Sequence, residues 1–278
     1  MFLRSTRRAC FPSVAARPPR TRRTPRTPKA VIFDKDGTLI DAHATWAPLL
    51  REAVARYAGE PEETDTTESY TEEETRSEYT EAMLIYEVLG MDARSMKFGE
   101  RSAFMTDSNE VCRRRLGERG VDALAFYRVM DAVCDEMLLS HIVPLFDLNA
   151  LFDGLRSRGL KVGILTADDA CNVQRLMDGQ NLTADALGCG DDGRGWKPSG
   201  DPLIAIAADL GLETSELIMV GDSTHDVDAG IAAGTATVGV LTGVGSKASL
   251  GHADFVVASA EDTCDVVEQL ISTTRAPP

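Results

Sequence analysis

Ala30-Val31-Ile32-Phe33-Asp34-Lys35-Asp36-Gly37-Thr38-Leu39 is the stretch on which the fold turns. Four consecutive apolar residues that end abruptly in an acid have the form of a buried parallel strand whose carboxyl end meets solvent. The pattern recurs at 161–165, 217–220, 236–240 and 255–257, and helical stretches lie between these runs at 149–158, 202–210 and 261–271. Strands alternating with helices predict an α/β core: a Rossmann-like, doubly wound parallel sheet covered on both faces. Ligands bind such sheets outside the carboxyl ends of the strands, which directs attention to Asp34, Thr166 and Gly221-Asp222.

Between the first two of these strands lie about 100 residues, 42–141, with no strand pattern. Trp46, Leu49, Leu50, Ala53, Val54 and Tyr57 follow the spacing of an amphipathic helix, and Leu124, Tyr127, Cys134, Met137 and Leu138 suggest another. The expected organisation is therefore a core from 30–41 and 142–274 carrying an all-helical insert at 42–141. Within the insert, 60–81 holds ten acids and one Arg, so self-repulsion predicts that much of it is a mobile, solvated loop.

The chain has 278 residues, 44 acidic against 29 basic, and a formal charge of −15. The first 29 residues contain eight Arg, one Lys, five Pro and no acid, and they read as a transit peptide. The prolines point to a plastid over a mitochondrion, and a disordered basic tail on a cytoplasmic protein is the alternative. Past residue 29 the chain carries 20 basic and 44 acidic residues, a surface that repels nucleic acid and anionic lipid. Neither is expected as a partner, and no apolar run approaches the roughly 18 to 20 residues of a membrane-spanning helix. The six Cys, at 10, 112, 134, 171, 189 and 264, form no C-x-x-C pair and read as buried thiols in a reducing compartment.

Asp34 and Asp36 stand one residue apart on a loop tightened by Gly37. Two acids so placed can divide labour, one as nucleophile and one as general acid and base, when a cation sets their pKa values apart. An isolated Asp-x-Asp-Gly would still be no more than an acidic turn. Further features follow at other strand ends: Thr166 offers a hydroxyl, Lys197 a fixed positive charge, and Asp222 with Asp226 a second acid pair. His225, between those two acids, reads as a loop residue and not as a ligand.

Taken in order, D-x-D-G-T, Thr166, Lys197 and G-D-x-x-x-D resemble the four motifs of the haloacid dehalogenase superfamily, and the helical insert stands where one branch of that family places its cap. The resemblance implies a phosphatase in which Asp34 attacks phosphorus to form an aspartyl-phosphate and Asp36 serves as general acid and then base. It implies Mg²⁺ held by Asp34, the Asp36 backbone carbonyl and Asp222, with Asp226 in support, and phosphoryl oxygens bound by Thr166 and Lys197. The expected partner is a small phosphorylated metabolite. Resemblance is nearest to phosphoglycolate phosphatases, with a sugar-phosphate mutase or a non-catalytic phosphometabolite-binding protein as alternatives.

The chain departs from the family pattern at Lys35, which occupies the variable middle position of the first motif, and at Asp168, where many relatives carry Asn. An Asp facing a phosphate is unfavourable unless it points away. Lys97 and Arg101 are candidates for contacting a substrate anion. Gly188–Gly193 matches G-x-G-x-x-G by letters but lacks the following helix that a dinucleotide site needs, and 239–247 reads as a turn-rich loop.

Overall fold

The computed structural model describes residues 27–58 and 72–275. Six parallel strands, β1 (Ala30–Phe33), β4 (Lys161–Leu165), β5 (Ala186–Gly188), β6 (Leu217–Gly221), β7 (Ala236–Val240) and β8 (Phe255–Val257), form one sheet in the order β5-β4-β1-β6-β7-β8. The chain steps outward from β1 through β4 to β5, then returns to the other side of β1 for β6. The carboxyl end of β1 thus lies where the winding direction reverses, the usual place for a ligand in an open α/β sheet. Register is direct: Phe33 stands opposite Ile164 of β4 and Val220 of β6.

Both faces of the sheet are buried, which is why its strands read as continuous apolar runs. Val31 and Phe33 join Val162, Ile164, Ile218 and Val220 beneath α6 (Leu148–Ser157), α7 (Ala170–Gln180) and α10 (Thr263–Arg275). Ala30 and Ile32 face the other way, with Met219, against α8 (Asp201–Leu210) and α9 (Thr224–Ala233). The strand β5 is a sixth member that the sequence pattern missed: it has three residues, two of them Ala186 and Gly188, and sits at the sheet edge.

Residues 42–141 supply α1 (Ala42–Ala58), α2 (Glu72–Leu89), α3 (Ala103–Thr106), α4 (Asn109–Glu118) and α5 (Ala123–His141). These have an apolar cluster of their own, centred on Leu49, Leu50, Ile85, Leu116, Phe126 and Val133. One expectation needs correction. The insert is not purely helical, because β2 (Met91–Asp92) and β3 (Lys97–Phe98) pair as a short antiparallel ribbon. Its two-residue arms are too short to show alternation, and the turn is held by Asp92, whose carboxylate accepts from the Ser95 amide at 2.7 Å. Of 60–81, the part from Glu72 onward is helical, since the helix that buries Ala82, Ile85 and Leu89 extends back to Glu72. The remainder of that acidic segment, through residue 71, and the basic leader up to residue 26 lie outside the described residues.

The insert leaves and rejoins the core through paired backbone. Asp41 donates its amide to Val143 O at 2.8 Å and Leu145 donates to Leu39 O at 3.1 Å. Thr45 Oγ1, in the first turn of α1, accepts from the Val143 amide at 3.1 Å.

Phe152 of α6, 1% exposed, stacks on Phe33 of β1 with ring centroids 5.8 Å apart. Phe152→Ala is expected to destabilise the protein by about 3–5 kcal/mol, read as a lower urea midpoint with an unchanged slope. A loss under about 1 kcal/mol would show that α6 does not anchor the sheet in this way.

Candidate active site

The loop after β1 is set by backbone before any side chain acts. Asp34 donates its amide to Val220 O at 2.8 Å, and the Gly37 amide reaches Ile40 O at 2.8 Å. Gly37 has φ +77°, and a Cβ there would stand 2.6 Å from Asp222 Oδ2, so only glycine allows both the turn and the approach of that carboxylate.

Lys197, from the segment before α8, inserts between the strand ends. Its Nζ donates to Asp34 Oδ1 and Asp226 Oδ1, both at 2.6 Å, and to Leu165 O at 3.3 Å. Asp226 is further held by Ser223, whose amide and hydroxyl donate to Oδ2 at 3.0 and 2.6 Å, while Ser223 Oγ caps α9 by accepting from the Asp226 amide. Asp222 Oδ2 accepts from the Val244 amide at 2.6 Å. One oxygen from each of Asp34, Asp222 and Asp226 lies within 4.8 Å of the others, and all three residues are buried.

Two buried carboxylates thus pair with one ammonium, and a third, Asp222, stands beside them. Burial, reinforced by Asp226 and Asp36, raises Asp34 to about 7 against the pull of Lys197. Burial likewise pushes Asp222 well above the carboxylate range, with Asp34 and Asp226 adding to it. Burial opposes the Lys197 charge, but Asp226 and Asp34 outweigh it and hold its pKa above the ordinary lysine value. Fully ionised, the cluster has an excess of two negative charges and an all-oxygen donor set, which suits a hard divalent cation.

Asp36 faces a different neighbourhood. Lys35 Nζ lies 2.7 Å from its Oδ2 and 2.8 Å from its Oδ1, and Trp46 of α1 donates Nε1–H to Oδ1 at 2.5 Å. Lys35 is 2% exposed and also pairs with Asp168 Oδ2 at 3.0 Å. The two departures from the family pattern therefore meet: Asp168 turns to Lys35, and its Oδ1 accepts from Asn172 Nδ2 at 2.8 Å. Burial raises the Asp168 pKa even with that ammonium beside it.

Thr166 is buried at the end of β4, its amide on Gly188 O at 2.9 Å and its Oγ1 accepting from the Asp168 amide at 3.2 Å. Asp34, Lys197, Asp222 and Asp226 are brought together; Asp36 and Thr166 flank them. Sequence reasoning missed three contributors. Lys35 sat at a variable motif position, and Trp46 registered only as an apolar helix residue. The 239–247 segment folds over Asp222: a Cβ on Gly243 would stand 1.9 Å from Asp222 Oδ2, and Thr242 Oγ1 donates to Gly37 O at 2.6 Å. His225 belongs to α9 instead of a loop, with Nδ1 3.0 Å from Thr106 O of the insert.

A cleft opens beside Asp36 and Asp168, between core and insert. Trp46, Phe104, Met105, Tyr127 and Met130 supply its apolar wall. Lys97 and Arg101 are exposed and are not part of it.

Residues 28–234 match the family model described as haloacid dehalogenase-like hydrolase. Among curated proteins, pyrophosphatase PpaX of Bacillus pumilus is 29% identical over 150 residues, 52% of this chain and 68% of that protein. Phosphoglycolate phosphatase of Escherichia coli is 31% identical over 113 residues, 39% of this chain and 44% of that protein. The chain thus spans 44% to 68% of the length of the curated relatives it matches. Among solved structures, a predicted phosphoglycolate phosphatase from Haemophilus somnus superposes with a TM-score of 0.64 at 16% identity, covering 87% of this chain and 98% of that one. β-Phosphoglucomutase from Clostridium difficile gives 0.58 at 17%, covering 88% and 97%. At such identities the likeness concerns the fold alone.

Between the unfolded carboxylate value and about 7, folded Asp34 keeps a proton that the unfolded chain has lost, so its contribution to stability falls as pH rises through that window. Asp34→Asn, which retains an acceptor for Lys197, is expected to be more stable than the parent by about 1–3 kcal/mol at pH 8 in EDTA, with the gap closing at pH 4. Urea melts at the two pH values measure this, and equal stability at pH 8 contradicts the charge crowding.

Proposed function

The chain belongs to the haloacid dehalogenase-like hydrolase family, and on that footing we propose that it is a Mg²⁺-dependent phosphatase of small phosphate monoesters. The observation that carries this reading is the Lys197 ammonium held between Asp34 and Asp226 beside Asp222, with Asp36 turned away toward the cleft. Asp34, Asp222 and Asp226, with the Asp36 backbone carbonyl, would hold the ion. When bound, Mg²⁺ supplies positive charge against the phosphoryl oxygens and the crowded acids.

Lys197 fixes one oxygen of Asp34 and leaves the other to attack phosphorus. As the Asp34–phosphorus bond forms, the bond from phosphorus to the ester oxygen breaks, and Asp36 gives its proton to the departing alkoxide. Asp36 then takes a proton from the water that attacks the aspartyl-phosphate, releasing inorganic phosphate and restoring Asp34. Lys35 and Trp46 keep the Asp36 carboxyl in one orientation at the cleft throughout. Thr166, through its hydroxyl, binds a phosphoryl oxygen, and Lys197 offsets charge as it develops. The E. coli relative's name points to 2-phosphoglycolate as one ester to be tried.

Phosphate release from a panel of small esters, 2-phosphoglycolate included, is expected to require Mg²⁺ and to fall at least about 10³-fold in Asp34→Asn. Release from none of them sinks the reading, and interconversion of a sugar phosphate without free phosphate transfers it to a mutase. Gly243→Ala, whose new methyl collides with the Asp222 carboxylate, is expected to raise the Mg²⁺ concentration for half-maximal rate about tenfold. An unchanged Mg²⁺ titration would remove Asp222 from the proposed ligand set.

A further inference from the structure

The cleft beside Asp36 is where, on the phosphatase reading, the alcohol half of the ester lies. Its charge is one-sided. Asp36, Asp107, Asp131 and Asp168 line it, and no Lys or Arg among the described residues does. Three cations around it, Lys35, Arg115 and Arg175, are already paired. Lys35 is shared by Asp36 and Asp168 at 2.7 and 3.0 Å, and Arg115 pairs with Asp107 at 2.7 Å. Arg175 is bound to Asp135 and Asn172, and Arg113 lies over the Tyr127 ring at 4.6 Å. Asp131, exposed at the cleft, has no ion pair among the described residues. Most of the rest of the wall is aromatic and thioether surface, with Trp46 and Phe104 packed edge to face at 5.6 Å, and the amides of Asn109 and Asn172 on it already donate to Asp169 and Asp168.

A carboxylate on the leaving alcohol would enter this space against several acids with no Lys or Arg among the described lining residues to meet it, and desolvation would add to the repulsion. An uncharged chain meets apolar wall, and an ammonium meets aromatic faces and acids. Resting on the phosphatase reading, we infer that the cleft selects phosphate esters of alcohols that carry no negative charge and disfavours esters of hydroxy acids. The inference separates this chain from the substrate in the name of its E. coli relative.

The test compares three two-carbon esters that differ in the charge of the leaving group: ethyl phosphate, phosphoethanolamine and 2-phosphoglycolate, with the Mg²⁺-loaded full chain. The expected result is a kcat/KM for the first two at least about tenfold above that for 2-phosphoglycolate. In Asp131→Lys, a surface change whose folding is checked by an unaltered melting curve, the ratio of 2-phosphoglycolate to ethyl phosphate should rise several-fold. A parent enzyme that prefers 2-phosphoglycolate, or a ratio unmoved by Asp131→Lys, overturns the inference and leaves the phosphatase reading standing. Release from none of the three or from p-nitrophenyl phosphate removes the phosphatase reading and the inference with it.

Discussion

The buried ammonium of Lys197 ties together three neighbouring strands. Its Nζ touches Asp34 after β1, Leu165 O at the end of β4 and Asp226 in the helix that follows β6, and these strands lie side by side as β4-β1-β6. The arrangement depends on a charge that burial opposes and that only its carboxylate partners sustain. Removing it would leave Asp34, Asp222 and Asp226 facing one another in a space where none of them is hydrated. Lys197 thus offsets part of the charge that the three acids bring, and an excess of negative charge remains.

A second buried ammonium, Lys35, divides the acids further. Asp34 and Asp36 are separated by one residue, yet the first is held by Lys197 and the second by Lys35 and Trp46. Adjacent carboxyls that answer to different cations need not behave alike, which is the physical condition for one to act as nucleophile and the other to handle protons. Trp46 belongs to the insert, so the environment of Asp36 is complete only when that region is seated on the sheet. Asn109, donating to Asp169 at 2.9 Å, and His225, meeting Thr106 O, join the same two parts nearby.

The sheet was legible in the sequence because strands covered on both faces leave unbroken apolar runs, and Asp34, Thr166, Asp222 and Asp226 were legible because each follows such a run. Lys197 lies beyond β5, the strand that escaped notice, and was found through motif order. What escaped depended on contacts across long stretches of chain. Lys35 and Asp168 are 133 residues apart, and nothing local marks them as partners. The loop over Asp222 looked like a generic turn because its function there is steric: Gly243 allows backbone to approach the Asp222 carboxylate and Gly245 its backbone carbonyl, and only the packed structure shows those partners. The cleft wall escaped for the same reason, since a Trp or Met that lines a cavity has the same helical spacing as one in a core.

The insert joins the core through two neighbouring crossings. Asp41 and Val143, Leu39 and Leu145 are bonded side by side, so the chain departs from the sheet and comes back through one narrow ribbon. The core meets the ends of the insert at a fixed separation whatever length of chain hangs between them, and loop-closure entropy changes slowly with that length. The buried cluster of acids around Lys197 and most of the cleft's apolar wall therefore reside in separate parts, which makes this architecture modular: a new insert grafted at the same ribbon would meet an unaltered Asp34, Lys197, Asp222 and Asp226 with a different choice of guest, provided it again placed a donor on Asp36 where Trp46 stands.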